Sequence, residues 1–263
     1  MRVGERFAER GKEGLGTLVP YVTSGFPSAD ASVDVLHALE KAGGDVLELG
    51  IPFSDPLADG PTIQESTFRA LEAGMTVAGT LEILAQFRKD SDAPVVLFSY
   101  LNPLLRYGVE AFLADAADAG AQGLLLTDVP MGGDPDLEEA VLDSRLDLIR
   151  LVAPTTRSER ASVIAASGQG FVYYISRTGV TGAQAALTAD LEDDVRALRE
   201  QVDLPVAVGF GISTPEQAAA VTGIADGVVV GSALITALDQ GGVEGAGAFL
   251  ASLRSAMDEA KIP

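Results

Sequence analysis

The stretch LELGIPFSDPLADGP, residues 47–61, holds two carboxylates in contrasting settings. Glu48 interrupts an apolar, strand-like run. If it points into a protein interior, lost hydration raises its pKa and makes it a proton donor near neutrality. Asp59 stands just before Gly60 and Pro61, where a helix start is predicted. The positive end of that helix favours the aspartate as an anion. Two carboxyls pushed in opposite directions suit one general acid and one anion that balances a developing positive charge. Each also has a plainer reading. Glu48 can be a strand-end acid reaching solvent, and Asp59 a helix cap.

Two glycine-marked stretches, VGFGIS (208–213) and VVGSAL (229–234), each end an apolar run and lead toward a helix start. Glycine lets a ligand approach the backbone, and a helix N-terminus offers free N–H groups to an anion. Neither stretch contains Lys or Arg, so a phosphate there is held by backbone amides and Ser232. The alternative is that Gly209, Gly211 and Gly231 only permit tight turns. A third stretch, SRTGVTGAQ (176–184), combines glycines with Thr178 and Thr181 and reads as a lid or as an ordinary surface loop.

These residues need a scaffold. Eight short apolar runs cover 17–23, 45–50, 94–100, 122–128, 146–152, 170–176, 204–210 and 225–231. They lack polar alternation, as strands buried on both faces do. Amphipathic helical patterns lie between them, such as Val35, Leu36, Leu39 and Ala42. Ser213 with Glu216, and Thr156 with Glu159, have capping-box spacing. Eight strand–helix units predict an α/β fold, a single (β/α)8 TIM barrel over 1–263. A doubly wound open sheet is the alternative. The first fourteen residues predict an extra N-terminal helix able to cap the barrel bottom. In such barrels the chemistry sits at the C-terminal strand ends, which selects loops 51–60, 177–187, 209–213 and 231–233.

Composition narrows the function classes. The net charge is −20, from 38 acids and 18 bases, which argues against nucleic acid and anionic membranes as partners. No cysteine is present, so disulfides and thiolate chemistry are excluded. The one histidine, His37, lies in a helical pattern and reads as structural, so neither a histidine-based triad nor a multi-histidine metal site is expected. The charged N-terminus has no signal-peptide core, and no run of about 18 apolar residues exists. A cytoplasmic protein is the expectation.

The opening stretch, taken with YVTSGFP, SYLNPLLRYG, DVP, YYISRTGVTG, VGFGIS and GSAL, resembles the tryptophan synthase alpha-subunit family along almost the whole chain. The resemblance implies a lyase of tryptophan biosynthesis that cleaves indole-3-glycerol phosphate to indole and glyceraldehyde 3-phosphate. It implies that Glu48 and Asp59 are catalytic and that Tyr173 contributes to catalysis and the pocket. Thr181 matches the lid threonine, and Gly182, Gly211, Gly231 and Ser232 match phosphate contacts. The indole pocket then draws on Tyr21, Leu97 or Tyr100, Leu125, Phe210 and Val230. No cofactor is implied for this chain. Pyridoxal phosphate belongs to the beta-subunit partner, in a complex of two alpha and two beta chains. Departures are peripheral, as in LLLTDVPMGG and the strong acidity. A stand-alone lyase releasing free indole and a non-catalytic activator of a beta partner are the two rival readings. The intact Glu48 and Asp59 argue against the second.

Overall fold

The computed structural model describes residues 1–175, 189–209 and 211–260. Eight parallel strands close in sequence order into a barrel. They are β1 (Thr17–Thr23), β2 (Leu47–Gly50), β3 (Val95–Ser99), β4 (Gly123–Leu126), β5 (Asp147–Val152), β6 (Val172–Ile175), β7 (Val206–Gly209) and β8 (Gly227–Val230). Each lies within a predicted apolar run, and the closed order excludes the open sheet. Most strands are shorter than their runs, although flanking residues such as Val46 and Ile51 still hydrogen-bond to the neighbouring strand.

The helices that bear on the site are α1 (Val3–Lys12), α2 (Ser32–Lys41), α3 (Pro61–Glu72), α4 (Val77–Phe87), α5 (Leu101–Tyr107), α6 (Val109–Asp118), α7 (Pro135–Leu142), α8 (Ser158–Ala166), α9 (Ala189–Arg199), α10 (Pro215–Thr222) and α11 (Ser232–Glu259). None is long and apolar enough to cross a membrane among the described residues.

Side chains alternate along each strand, and here both faces are apolar. Outward residues such as Leu18, Leu49, Leu97, Leu124 and Val230 join the core between sheet and helices. Inward residues Val19, Val46, Val96, Leu125, Ile149, Phe171, Ala207 and Val229 fill the barrel. Helix α1 closes its floor as expected. Val3 and Phe7 are buried in that inner cluster, and the Phe7 ring stacks on Phe171 at 5.1 Å. Arg2 pairs with Asp147 at the start of β5, and Arg10 with Asp45 at 3.3 Å. Arg254 of α11 reaches the same Asp45 at 3.2 Å. With the floor packed, the barrel interior opens at the strands' C-terminal ends.

Two capping predictions need correction. Helix α10 is capped by Thr214, whose hydroxyl accepts from the Gln217 N–H, in a box with Gln217. Pro215 takes the first helical position, which moves the cap one residue past Ser213. Ser213 instead donates to the Gln217 side chain. Helix α8 starts at Ser158 after Arg157, without a side-chain cap, and the Thr156 hydroxyl serves the Ala153 N–H instead. Pro61 does open α3.

Candidate active site

A cavity of about 420 Å³ opens at the C-terminal end of the barrel. Its walls bring Glu48, Asp59 and Tyr173 together, with Gly211, Gly231 and Ser232 also on its lining. The elements that converge there come from β1, β2, β3, β5, β6 and β8 and from the loops that follow β2, β4, β7 and β8.

Glu48 is in register with Tyr21 on one side and Val96 on the other, and its side chain is only 1% exposed. Its Oε1 atom is buried and has no hydrogen-bond partner among the described residues. Burial pushes its pKa up to about 8. The carboxyl is thus held protonated at neutral pH, as an acid desolvated by apolar walls must be.

Asp59 departs from expectation. Gly60, not Asp59, occupies the cap position of α3. Burial also pushes its pKa up, to about 6, outweighing the pull of a hydrogen bond from Tyr100. Both carboxyls therefore move in the same direction. Desolvation inside the cavity is stronger than the attraction of the α3 N-terminus, which falls off within a turn. The division of labour survives because the two values stay apart. Near pH 7 Glu48 is mainly protonated and Asp59 mainly ionised.

Two tyrosines reach inward beside Glu48. Tyr21 is buried and Tyr173 half-buried, and desolvation raises both phenol pKa values, so both remain neutral donors. They fit because their neighbours lack a side chain. A Cβ on Gly50 would overlap the Tyr21 hydroxyl, and one on Gly209 would overlap that of Tyr173. Gly209 therefore makes room for a tyrosine and does not line the cavity. Gly211 does line it, with φ at +86°, a conformation that favours glycine.

The far wall is the start of α11. Gly231 is its cap residue with no side-chain cap, so the first-turn N–H groups lack the usual partner. Gly231, Ser232, Ala233 and Thr236 all face the cavity. Such a helix end attracts an anion through its free amides and its dipole.

The expected apolar pocket is partly shifted. Tyr21 lines the cavity, but Leu97 and Val230 face outward into the sheet–helix core. Their chain neighbours Phe98 and Val229 line it instead. Leu125 points inward but lies lower, in the cluster that fills the barrel. Tyr100 is not on the lining; its hydroxyl donates to Asp59 at 3.0 Å. Ile63, Thr127, Leu151 and Thr236 were not anticipated. Thr236 had a signal, since it falls one helical turn after Ser232. Thr181, Gly182 and Phe210, together with Thr178 and Gly179, lie outside the described residues. His37 is remote, packed at 4.8 Å against Phe87.

The model of the tryptophan synthase alpha chain family matches residues 7–260. The chain belongs to the tryptophan synthase alpha chain family. Solved members are similar over their whole length. Tryptophan synthase subunit alpha from Legionella pneumophila str. Paris is 38% identical, with a TM-score of 0.92 and 98% of each chain covered. A tryptophan synthase structure from Mycobacterium tuberculosis is 38% identical, with a TM-score of 0.90, covering 97% of this chain and 98% of that one. The family's reaction is the lyase step named above, cleavage of indole-3-glycerol phosphate in tryptophan biosynthesis.

Proposed function

We propose that Glu48 and Asp59 carry this cleavage, with Glu48 as proton shuttle and Asp59 as the balancing anion. The observation that carries the reading is the buried Glu48 carboxyl, whose Oε1 has no hydrogen-bond partner among the described residues and whose pKa burial raises to about 8, beside Asp59 at about 6. Indole leaves poorly as a carbanion. Glu48 therefore protonates indole C3, giving an indoleninium. Asp59 accepts the indole N–H and offsets the positive charge. Glu48, now a carboxylate, takes the proton of the adjacent glycerol hydroxyl. The carbon–carbon bond breaks, its electrons neutralise the indoleninium, and an aldehyde forms. One proton is given and one returned, so Glu48 ends as it began.

The phosphate sits at the glycine-lined end, against the amides of Gly211 and Gly231 and the Ser232 hydroxyl. Phe98, Leu151 and Tyr173 supply apolar contact for the indole. Thr181, Gly182 and Phe210 complete the site in this reading, as lid, phosphate and pocket residues, on the family resemblance alone. No cofactor or metal is assigned to this chain, and the cytoplasm is its assigned compartment.

The partner in this reading is a beta subunit carrying pyridoxal phosphate, in a complex of two alpha and two beta chains. Loop 51–60 faces it. Leu57 supports that assignment, being 92% exposed on the loop that also carries Asp59. Partner binding then shifts a closed-lid population by contact with this loop.

The test is indole release from indole-3-glycerol phosphate by the chain alone and with saturating beta subunit. Slow turnover alone and a large activation in the complex are expected. Thr181→Val should lose most of that activation while binding the beta subunit as before. No cleavage in either condition contradicts the lyase reading. A full rate in isolation, or undiminished activation of the variant, removes the coupling through Thr181.

A further inference from the structure

We propose that Tyr100 is a positioning residue whose hydroxyl holds the Asp59 carboxylate in place and favours its ionised form. The inference rests on Asp59 being the anion of the cleavage. Tyr100 follows β3 and stands at the cap position of α5, in extended conformation. The β2–β3 register pairs Gly50 with Phe98, which brings the loop after β2 alongside it. From there the Tyr100 hydroxyl accepts the Ala58 N–H at 3.0 Å and donates to Asp59 Oδ2 at 3.0 Å. Its ring lies 5.3 Å from Phe53 of the same loop. The Tyr100 side chain is 4% exposed, so this is an internal clamp on the loop. The Asp59 backbone is held separately, by Pro56 at 3.1 Å and Gln64 at 2.9 Å.

The hydrogen-bond directions make the clamp sensitive to charge. A phenol has one proton and two lone pairs. With the Ala58 N–H directed at its oxygen, its proton is free for a carboxylate. Protonated Asp59 would have a second proton to place and would not need that donor. The other titratable groups on the cavity oppose ionisation or are neutral. Glu48 faces Asp59 from β2, Tyr21 from β1 and Tyr173 from β6, and among the described residues the lining has no Lys or Arg. Asp55, on the same loop, is turned to Ser54, and Asp128 to the Leu101 N–H. Tyr100 is the one side chain among the described residues that hydrogen-bonds the Asp59 carboxylate.

Tyr100→Phe keeps the ring and deletes the donor. In the full chain, kcat near pH 7 should fall roughly 10-fold or more, as expected for losing a hydrogen bond to a charged group. KM should change little. The acidic limb of kcat/KM should move up by about one pH unit, and a ¹³C titration of the Asp59 carboxyl should move with it. In an Asp59→Asn background the same change should leave the pH profile unaltered. An equal loss at every pH with an unmoved carboxyl titration would make Tyr100 a packing residue and overturn the proposal. A rise in KM alone would return it to the substrate-contact role expected from sequence and overturn it too. If Asp59→Asn alone retains kcat, the underlying assignment of Asp59 fails, and the proposal falls with it. That result is distinct from a normal Asp59→Asn loss with an unshifted Tyr100→Phe profile.

Discussion

Glu48→Gln should lower kcat for indole-3-glycerol phosphate cleavage by about 10²–10⁴-fold, the range for losing a general acid–base group. The amide matches the carboxyl in shape but has no acidic proton for indole C3, and it cannot collect one from the glycerol hydroxyl. Binding should survive. The glycine-lined end of the cavity and the apolar wall from Phe98 and Leu151 belong to other strands. Steady-state kinetics with a parallel binding measurement on glyceraldehyde 3-phosphate would check both halves. A glutamine variant that turns over near the wild-type rate would remove Glu48 from the chemistry.

Asp59→Asn should cost on the order of 10²-fold or more in kcat, with a smaller change in KM. Asparagine keeps an oxygen that accepts from the Tyr100 hydroxyl and the indole N–H, so loop 51–60 keeps its anchor. What it loses is charge. An anion beside a forming indoleninium acts inside a partly desolvated cavity, where charge interactions are stronger than in water. The ground state carries no such positive charge, so the loss falls on the transition state. A variant that raised only KM would make Asp59 a binding residue.

The barrel was legible because its strands are buried on both faces, which leaves continuous apolar runs. That same feature hid which residues face inward. In an alternating strand the polar positions mark the solvent side, whereas Leu97 and Phe98 are both apolar and only the register decides between them. Glu48 was conspicuous because burying a carboxyl in such a run is costly and is tolerated where chemistry needs it. The direction of the Asp59 pKa shift was misjudged, though not its ionised state near pH 7, because helix starts are visible in sequence and burial is not. Its partner Tyr100 lies 41 residues away, on the next strand's end, and only the pairing of β2 with β3 brings the two together. Gly209 looked like a phosphate-turn glycine, yet its missing side chain accommodates Tyr173, a contact that depends on the pairing of β6 with β7.

The central claim is that Glu48 works protonated while Asp59 works ionised, and the pH dependence of kcat/KM tests it most directly. The Asp59 carboxylate is lost as pH falls through about 6, and the Glu48 proton is lost as pH rises through about 8. The wild-type profile for indole release should therefore be a bell with limbs near those values, and the alkaline limb should disappear from the residual activity of Glu48→Gln. A rate that stays flat or keeps rising through about pH 9, well past the Glu48 titration, or a glutamine variant that keeps the alkaline limb, would contradict the assignment.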